Sequence, residues 1–156
     1  MNDKLVPALL GGALIGILSA IFSAIPLPFV GLCCCLWAIG GGVLATMMFV
    51  KKSPTPVSIG EGAMMGAMAG LIGGVIYFVL ANIIYGLIIG VASFESQFKA
   101  TGVDMPMSGF ALIVLATLMG AIVLLALAVG GGVLGVPIFE KRKVGAPPPP
   151  PPAFGG

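Results

Sequence analysis

Long apolar runs, separated by short charged or proline-containing segments, dominate the pattern of hydrophobic and polar positions along this chain of 156 residues. About 20 consecutive apolar residues are needed to cross a hydrocarbon core of about 30 Å, and four of the runs are long enough. The pattern therefore predicts an all-α polytopic membrane protein whose four transmembrane helices form two tandem helical hairpins. The predicted spans cover residues 5–25, 29–50, 59–85 and 109–139.

The third apolar run, from Ile59 to Ala92, is longer than one membrane crossing requires. As a continuous helix it would extend about 51 Å, so it must either tilt steeply or break. We expect a break between Asn82 and Gly86, followed by an interfacial helix over residues 86–99; a steeply tilted helix is the alternative. The apolar stripe of the short helix would consist of Leu87, Val91, Phe94 and Phe98.

Small residues recur at intervals of four in the first and third spans. Residues four apart share one face of a helix, and a face without side chains lets another helix backbone approach closely. Such contacts drive helix association in lipid, where apolar burial supplies little net free energy. The pattern predicts helix-packing positions at Gly12, Gly16, Gly62, Gly66, Gly70 and Gly74.

Two polar residues of the third span, Glu61 and Asn82, form the candidate polar site. Glu61 follows Ser58 in the Ser-x-x-Glu pattern of a capping box, which explains the carboxylate structurally. Cation binding or proton relay is the functional alternative. Asn82 lies on the same helix face as the glycines spaced four apart, so we expect its side chain to form a hydrogen bond to a neighbouring helix. A gate or a substrate contact is the functional alternative for Asn82.

An internal repeat relates the second and fourth spans. Ala38 to Lys52 aligns with Ala128 to Arg142 at a constant offset of 90 residues, and each copy contains a Gly-Gly-Gly-Val-Leu segment. The two hairpins would then be parallel copies of a two-span unit, an arrangement also found in transporters. The repeat predicts that both hairpins have the same orientation.

Basic residues are distributed unequally between the two sides of the predicted bundle. Six of them fall on one side, whereas Lys99 alone falls on the other. The positive-inside rule places the basic side, and with it both termini, in the cytoplasm of a cell-membrane protein. The six residues are Lys4, Lys51, Lys52, Lys141, Arg142 and Lys143.

Composition narrows the classes of function. The chain is 59% hydrophobic and 8% charged, and it contains no histidine, so the commonest acid/base group and metal ligand is missing. Carboxylates lie away from the span centres, and no nucleophile is paired with a base; we therefore expect neither an enzyme nor a cofactor. The net charge of +2 is too small to suggest a nucleic-acid partner.

Three consecutive cysteines, Cys33 to Cys35, lie at the start of the second span. Neighbouring helical residues point about 100° apart, so three adjacent thiols of one chain cannot converge on one metal ion. We interpret them as small apolar packing residues, while a cluster shared between subunits of an oligomer stays open.

A proline-rich tail follows the last span, over residues 144–156. Its six consecutive prolines, Pro147 to Pro152, favour a polyproline II conformation that cannot join a packed core. A disordered spacer is the expected role, and a ligand for a cytosolic proline-binding partner is the alternative.

Two resemblances follow from these features. The four-span layout from Leu5 to Arg142 resembles small bacterial membrane proteins of unknown function, which implies a location in the bacterial inner membrane. The series from Gly62 to Gly74 resembles the glycine zippers of membrane and pore-forming proteins. Neither resemblance implies a catalytic residue or names a substrate.

The preferred functional hypothesis is a non-enzymatic scaffold or accessory subunit. Its glycine-rich helix faces would pack against a second copy of the chain or another membrane protein in the bilayer. The alternative is a small oligomeric channel or transporter component with Glu61 and Asn82 on the permeation path, although transport sites usually place polar groups near the middle of the membrane.

Overall fold

The computed structural model describes residues 2–23, 30–53, 55–100, 102 and 109–144, and within these ranges the side chains of 2–4, 30–34, 97–98 and 141–144 are left out of the description. The predicted connection at Pro26 and Pro28 and the proline-rich tail lie outside the described residues.

Every regular element of the described chain is helical, which confirms the all-α prediction. Four long helices correspond to the four predicted spans, with ends that differ from the predicted ones by a few residues, and a short helix precedes the last of them. The helices are α1 (Asn2–Ser23), α2 (Val30–Lys52), α3 (Ile59–Ile83), α4 (Val91–Lys99) and α5 (Phe110–Val144), with a π-helical segment at Ile84–Ile89.

The four long helices form two hairpins of the same orientation, as predicted. α1 runs antiparallel to α2, because Gly11 of α1 contacts Ala45 of α2, whereas Phe22, later in α1, stacks on Trp37, earlier in α2. α3 runs antiparallel to α5 in the same manner. Between hairpins the order is parallel: α1 lies along α3, and α2 lies along α5. The chain-terminal ends of α1 and α5 and the α2–α3 connection therefore share one end of the bundle.

Lengths and composition make this a multi-pass membrane protein. In the part of the chain that the structure describes, four segments are long and apolar enough to cross a membrane: Leu5–Ser23, Cys35–Lys52, Ile59–Ile89 and Phe110–Glu140. Large apolar side chains cover the outside of the bundle, among them Leu36, which is 70% exposed. An apolar exterior of this kind suits hydrocarbon and would be unusual in water.

The chain leaves the third span later than predicted. Regular α-helical geometry ends at Ile83, inside the expected interval, but the π-helical segment carries the helix on to Ile89. The turn occurs at Gly90, whose φ of 86° and ψ of 146° are accessible almost only to glycine. The short helix α4 therefore begins at Val91 rather than at residue 86, and its position at a membrane interface remains a prediction.

The interior of the bundle is built from unusually small side chains. Among the described residues, seven alanines are completely buried, at positions 8, 20, 38, 45, 69, 81 and 128. Few large residues of the same set are buried to this degree, notably Ile15, Met65 and Ile113. Because the buried residues are small, the helix backbones lie close together and the glycine contacts decide where the helices meet.

Candidate functional site

The glycine series of α3 packs against α5 of the same chain. A methyl group added at Gly62 would lie 2.7 Å from the carbonyl oxygen of Gly132, and one added at Gly70 would lie 2.9 Å from the Cβ of Ala128. Gly66 faces the backbone of Ala128 so closely that no side chain fits there. The contact opens slightly at Gly74, where the added atom would be 3.3 Å from the carbonyl oxygen of Ala121.

The two glycines predicted on α1 pack against a different face of α3. A methyl group at Gly12 would lie 2.7 Å from the Ala69 carbonyl oxygen, and one at Gly16 would lie 2.7 Å from the Gly73 carbonyl oxygen. Gly73 returns the contact, because its added methyl would lie 2.9 Å from the Gly12 carbonyl oxygen. α3 thus packs between α1 and α5 and contacts each of them through small residues on a different face.

The structure therefore places all six predicted packing glycines at contacts within one chain. Each predicted glycine face is covered by a helix of its own bundle, so these faces are not available to a second protein while the bundle is intact. This is a different use from the one the scaffold hypothesis assigned to them. A partner would have to bind elsewhere on the surface.

Further glycine contacts, which the series of four did not single out, close the centre of the bundle. Gly42 faces the carbonyl oxygen of Ala128, and Gly131 faces that of Ile39, which brings α2 and α5 into backbone contact. Gly132 faces the carbonyl oxygen of Gly62. The feature of the sequence that could have predicted these contacts is the pair of Gly-Gly-Gly triplets. The second and third glycines of each triplet are buried.

The first member of each triplet behaves differently. Gly40 and Gly130 are exposed, and a methyl group added at either position would meet no atom within 4 Å. The two positions correspond in the internal repeat. They are helix-interior glycines for which contacts within the described chain provide no packing reason.

Glu61 is engaged in the capping box that the sequence predicted. The Ser58 backbone N–H donates to Glu61 Oε2 at 2.9 Å, and the Glu61 backbone N–H donates to Ser58 Oγ at 3.3 Å. These bonds satisfy donors that the first turn of α3 would otherwise leave unpaired. A negative side chain at a helix N-terminus is also favoured by the helix dipole.

Asn82 forms a hydrogen bond across the α3–α5 pair. Its Nδ2 donates to Thr117 Oγ1 at 2.9 Å and to the carbonyl oxygen of Phe78 at 2.8 Å, and Thr117 in turn donates to the carbonyl oxygen of Ile113 at 2.8 Å. Thr117 is buried and was not predicted as a partner. Because Thr117 is a polar residue in an otherwise apolar span, the sequence could have identified it as the hydrogen-bond partner of Asn82.

Glu61 and Asn82 do not form one site. They are 21 positions apart on α3, so about 31 Å of helix separates them. Each takes part in a local structural interaction at its own end of the helix. The structure leaves no shared polar centre for them within the described chain.

Cys35 is a half-buried free thiol in the first part of α2. Among the residues that the structure describes, no group of three or more histidine, cysteine, aspartate or glutamate side chains could hold a metal ion. The side chains of Cys33 and Cys34 lie outside that description, so the prediction about the three-cysteine cluster is not tested.

Comparison with known proteins adds no relative to this picture: no protein-family model, curated protein or solved structure matches the chain.

Proposed function

We propose that this protein is a non-enzymatic scaffold or accessory subunit of a membrane complex. The supporting observation is the closed centre of the bundle, where α2 and α5 meet through Gly42 and Gly131 and α3 joins them at Gly132. Backbones in direct contact leave no room for a water-filled path between these helices. This close packing supports a structural role over a pore between these helices of a single chain.

We assign the contacts with the partner to two exposed positions of the bundle, the open glycines Gly40 on α2 and Gly130 on α5. A glycine inside a helix lowers the stability of the helix relative to alanine. This loss is offset where the absence of a side chain allows another helix to pack closely. At these two positions the approach is not made by the described chain, and in lipid it is made by another transmembrane helix. The partner is thus a membrane helix with a small-residue face, from a second copy or a different protein.

The test is the composition of the complex in its native membrane. The full-length chain, tagged at its C-terminus, is extracted in polymer-bounded lipid particles, and the mass and every protein in the particle are determined. We expect a complex containing at least one further transmembrane protein. A particle holding a single copy of this chain and nothing else would overturn the proposal.

Paired substitutions then separate partner contacts from internal ones. Gly40→Leu and Gly130→Leu add bulk where the chain itself has open space, so the bundle should fold while at least one variant loses the partner. Ala111→Leu, at an exposed position elsewhere on α5, is the matched control and should retain it. Retention by both glycine variants would refute the assigned contacts.

The same experiment examines the channel alternative. A closed homo-oligomer would direct attention to a pore between chains, which flux measurements in reconstituted vesicles would detect. If Asn82→Ala and Glu61→Ala leave the flux unchanged, these two polar residues do not line such a pore. That result would agree with their hydrogen bonds inside one chain.

A further inference from the structure

A half-open cavity of about 200 Å³ lies between the helices of the bundle and is bordered by all four long helices. Ser19 and Ser23 of α1, Cys35 of α2 and Tyr77 of α3 contribute its polar lining, and α5 supplies an apolar wall that includes Leu124 and Leu127. It lies toward the end of the bundle where α1 ends and α2 begins.

The arrangement of the helices explains the cavity. The four long helices form a ring in the order α1, α2, α5, α3, and across one diagonal of this ring α2 contacts α3. Across the other diagonal, α1 and α5 make almost no contact in the described chain. Gly120 of α5 allows Tyr77 to approach closely at the cavity wall, because a methyl group there would lie only 3.1 Å from the tyrosine hydroxyl oxygen.

Ser19 is the polar group that the fold leaves unsatisfied at this cavity. Its side chain is 1% exposed, and among the described residues its Oγ has no hydrogen-bond partner. A buried hydroxyl normally has one, since desolvation without a compensating bond is costly. Ser23, by contrast, already donates to the Ala20 carbonyl oxygen at 2.9 Å.

The lining defines the chemistry of a ligand. None of the described residues that border the cavity is charged, so they offer an ion no compensating group. The apolar wall on α5 suits an apolar body, while Ser19 offers one hydrogen bond. An apolar cavity of about 150 Å³ is large enough to bind benzene, so this cavity accommodates a ring carrying a hydroxyl group.

We propose that the cavity is a binding site for a small uncharged amphiphile, of the size of a monocyclic alcohol, whose hydroxyl pairs with Ser19 Oγ. This inference is independent of the proposed scaffold function, since it concerns the interior of the bundle rather than its partner surface. It also gives the buried serine a hydrogen-bond partner that the described residues do not supply.

Cys35 provides a reporter on the cavity wall. In the full-length Cys33→Ala/Cys34→Ala variant, Cys35 is the one remaining thiol. Methyl methanethiosulfonate, a small neutral reagent, transfers its methylthio group to the Cys35 sulfur; the thiol gives up its proton to buffer and methanesulfinate leaves. The rate is followed by intact-protein mass in lipid nanodiscs, with increasing benzyl alcohol as the probe ligand.

We expect benzyl alcohol to slow the modification saturably and toluene, which lacks the hydroxyl, to protect less well. Adding Ser19→Ala should raise the half-protecting concentration of benzyl alcohol about three- to tenfold while leaving that of toluene unchanged. Partitioning of both compounds into lipid is the same for each variant and cancels in the comparison. Ser96→Ala, at an exposed serine of α4, is the matched control and should change neither value.

Three outcomes would overturn the proposal. They are no reaction at Cys35, no saturable protection, and equal protection by both compounds whether or not Ser19 is present. The last result would indicate general filling of the cavity by apolar molecules, including lipid chains. Leu127→Phe provides a second variant, because a larger side chain on the apolar wall should abolish saturable protection even where Ser19 is retained.

Discussion

Substituting Gly66 by alanine tests the central role of backbone contact in this bundle. The added methyl group would point at the Ala128 carbonyl group, with the Cα of Val129 only 3.0 Å away. All of these neighbours are backbone atoms, so no flexible side chain can rotate aside. The α3–α5 contact must instead open, and the small residues packed on either side of Gly66 would separate with it.

The magnitude follows from a comparison with Gly130→Ala. Both substitutions gain the same intrinsic helix propensity, about 1 kcal/mol in water, and this gain cancels between them. Gly130 has open space around the added methyl, whereas the methyl at Gly66 imposes overpacking that typically costs about 1–3 kcal/mol. We therefore expect Gly66→Ala to be less stable to unfolding than Gly130→Ala by about 1–3 kcal/mol.

Unfolding can be followed in mixed micelles with an increasing fraction of sodium dodecyl sulfate. Trp37 is the sole tryptophan of the chain and stacks on Phe22 with ring centroids 6.1 Å apart, so its fluorescence reports separation of α1 and α2. The quantity compared is the difference in unfolding free energy between the two alanine variants. Equal stabilities would refute the view that these glycines hold the helices in backbone contact.

Three further substitutions test individual interactions with the same unfolding assay. Asn82→Ala removes the hydrogen bond to Thr117 and should cost about 0.6 kcal/mol, the typical value for such bonds in membranes; a neutral result would show that the bond is not formed. Ser58→Ala should cost about 1 kcal/mol through loss of the helix cap, and Ser96→Ala, on exposed α4, should not. Gly90→Ala should cost about 1–3 kcal/mol because its φ of 86° strains any residue with a Cβ, and unchanged stability would argue against that backbone conformation.

Features set by local sequence were predictable. The apolar runs identified the four spans because membrane thickness fixes the length that a crossing helix needs. The capping box was predictable from Ser58 and Glu61 because its hydrogen bonds form within one helical turn. The charged and proline-containing segments marked the approximate helix ends for the same local reason.

Features that depend on which helices meet were not predictable. A glycine every four residues shows that a face permits close approach, but it does not specify the helix that approaches. Gly62 and Gly16 therefore proved to face different helices of the same chain, where the sequence suggested partner contacts. The cavity beside Ser19 was also unpredictable, because it arises from the unequal diagonals of the four-helix ring rather than from any one segment.

The parallel arrangement of the two hairpins has a consequence for how the chain is assembled. Contacts between the hairpins, α1 with α3 and α2 with α5, are extensive and are built from shape-complementary small residues. The short segment from Ser53 to Ser58 is the covalent link between them, and it mainly raises the effective concentration of one hairpin near the other. Two separate polypeptides, divided within that link, should therefore recognise each other in the bilayer and rebuild the bundle as a heterodimer of half-proteins.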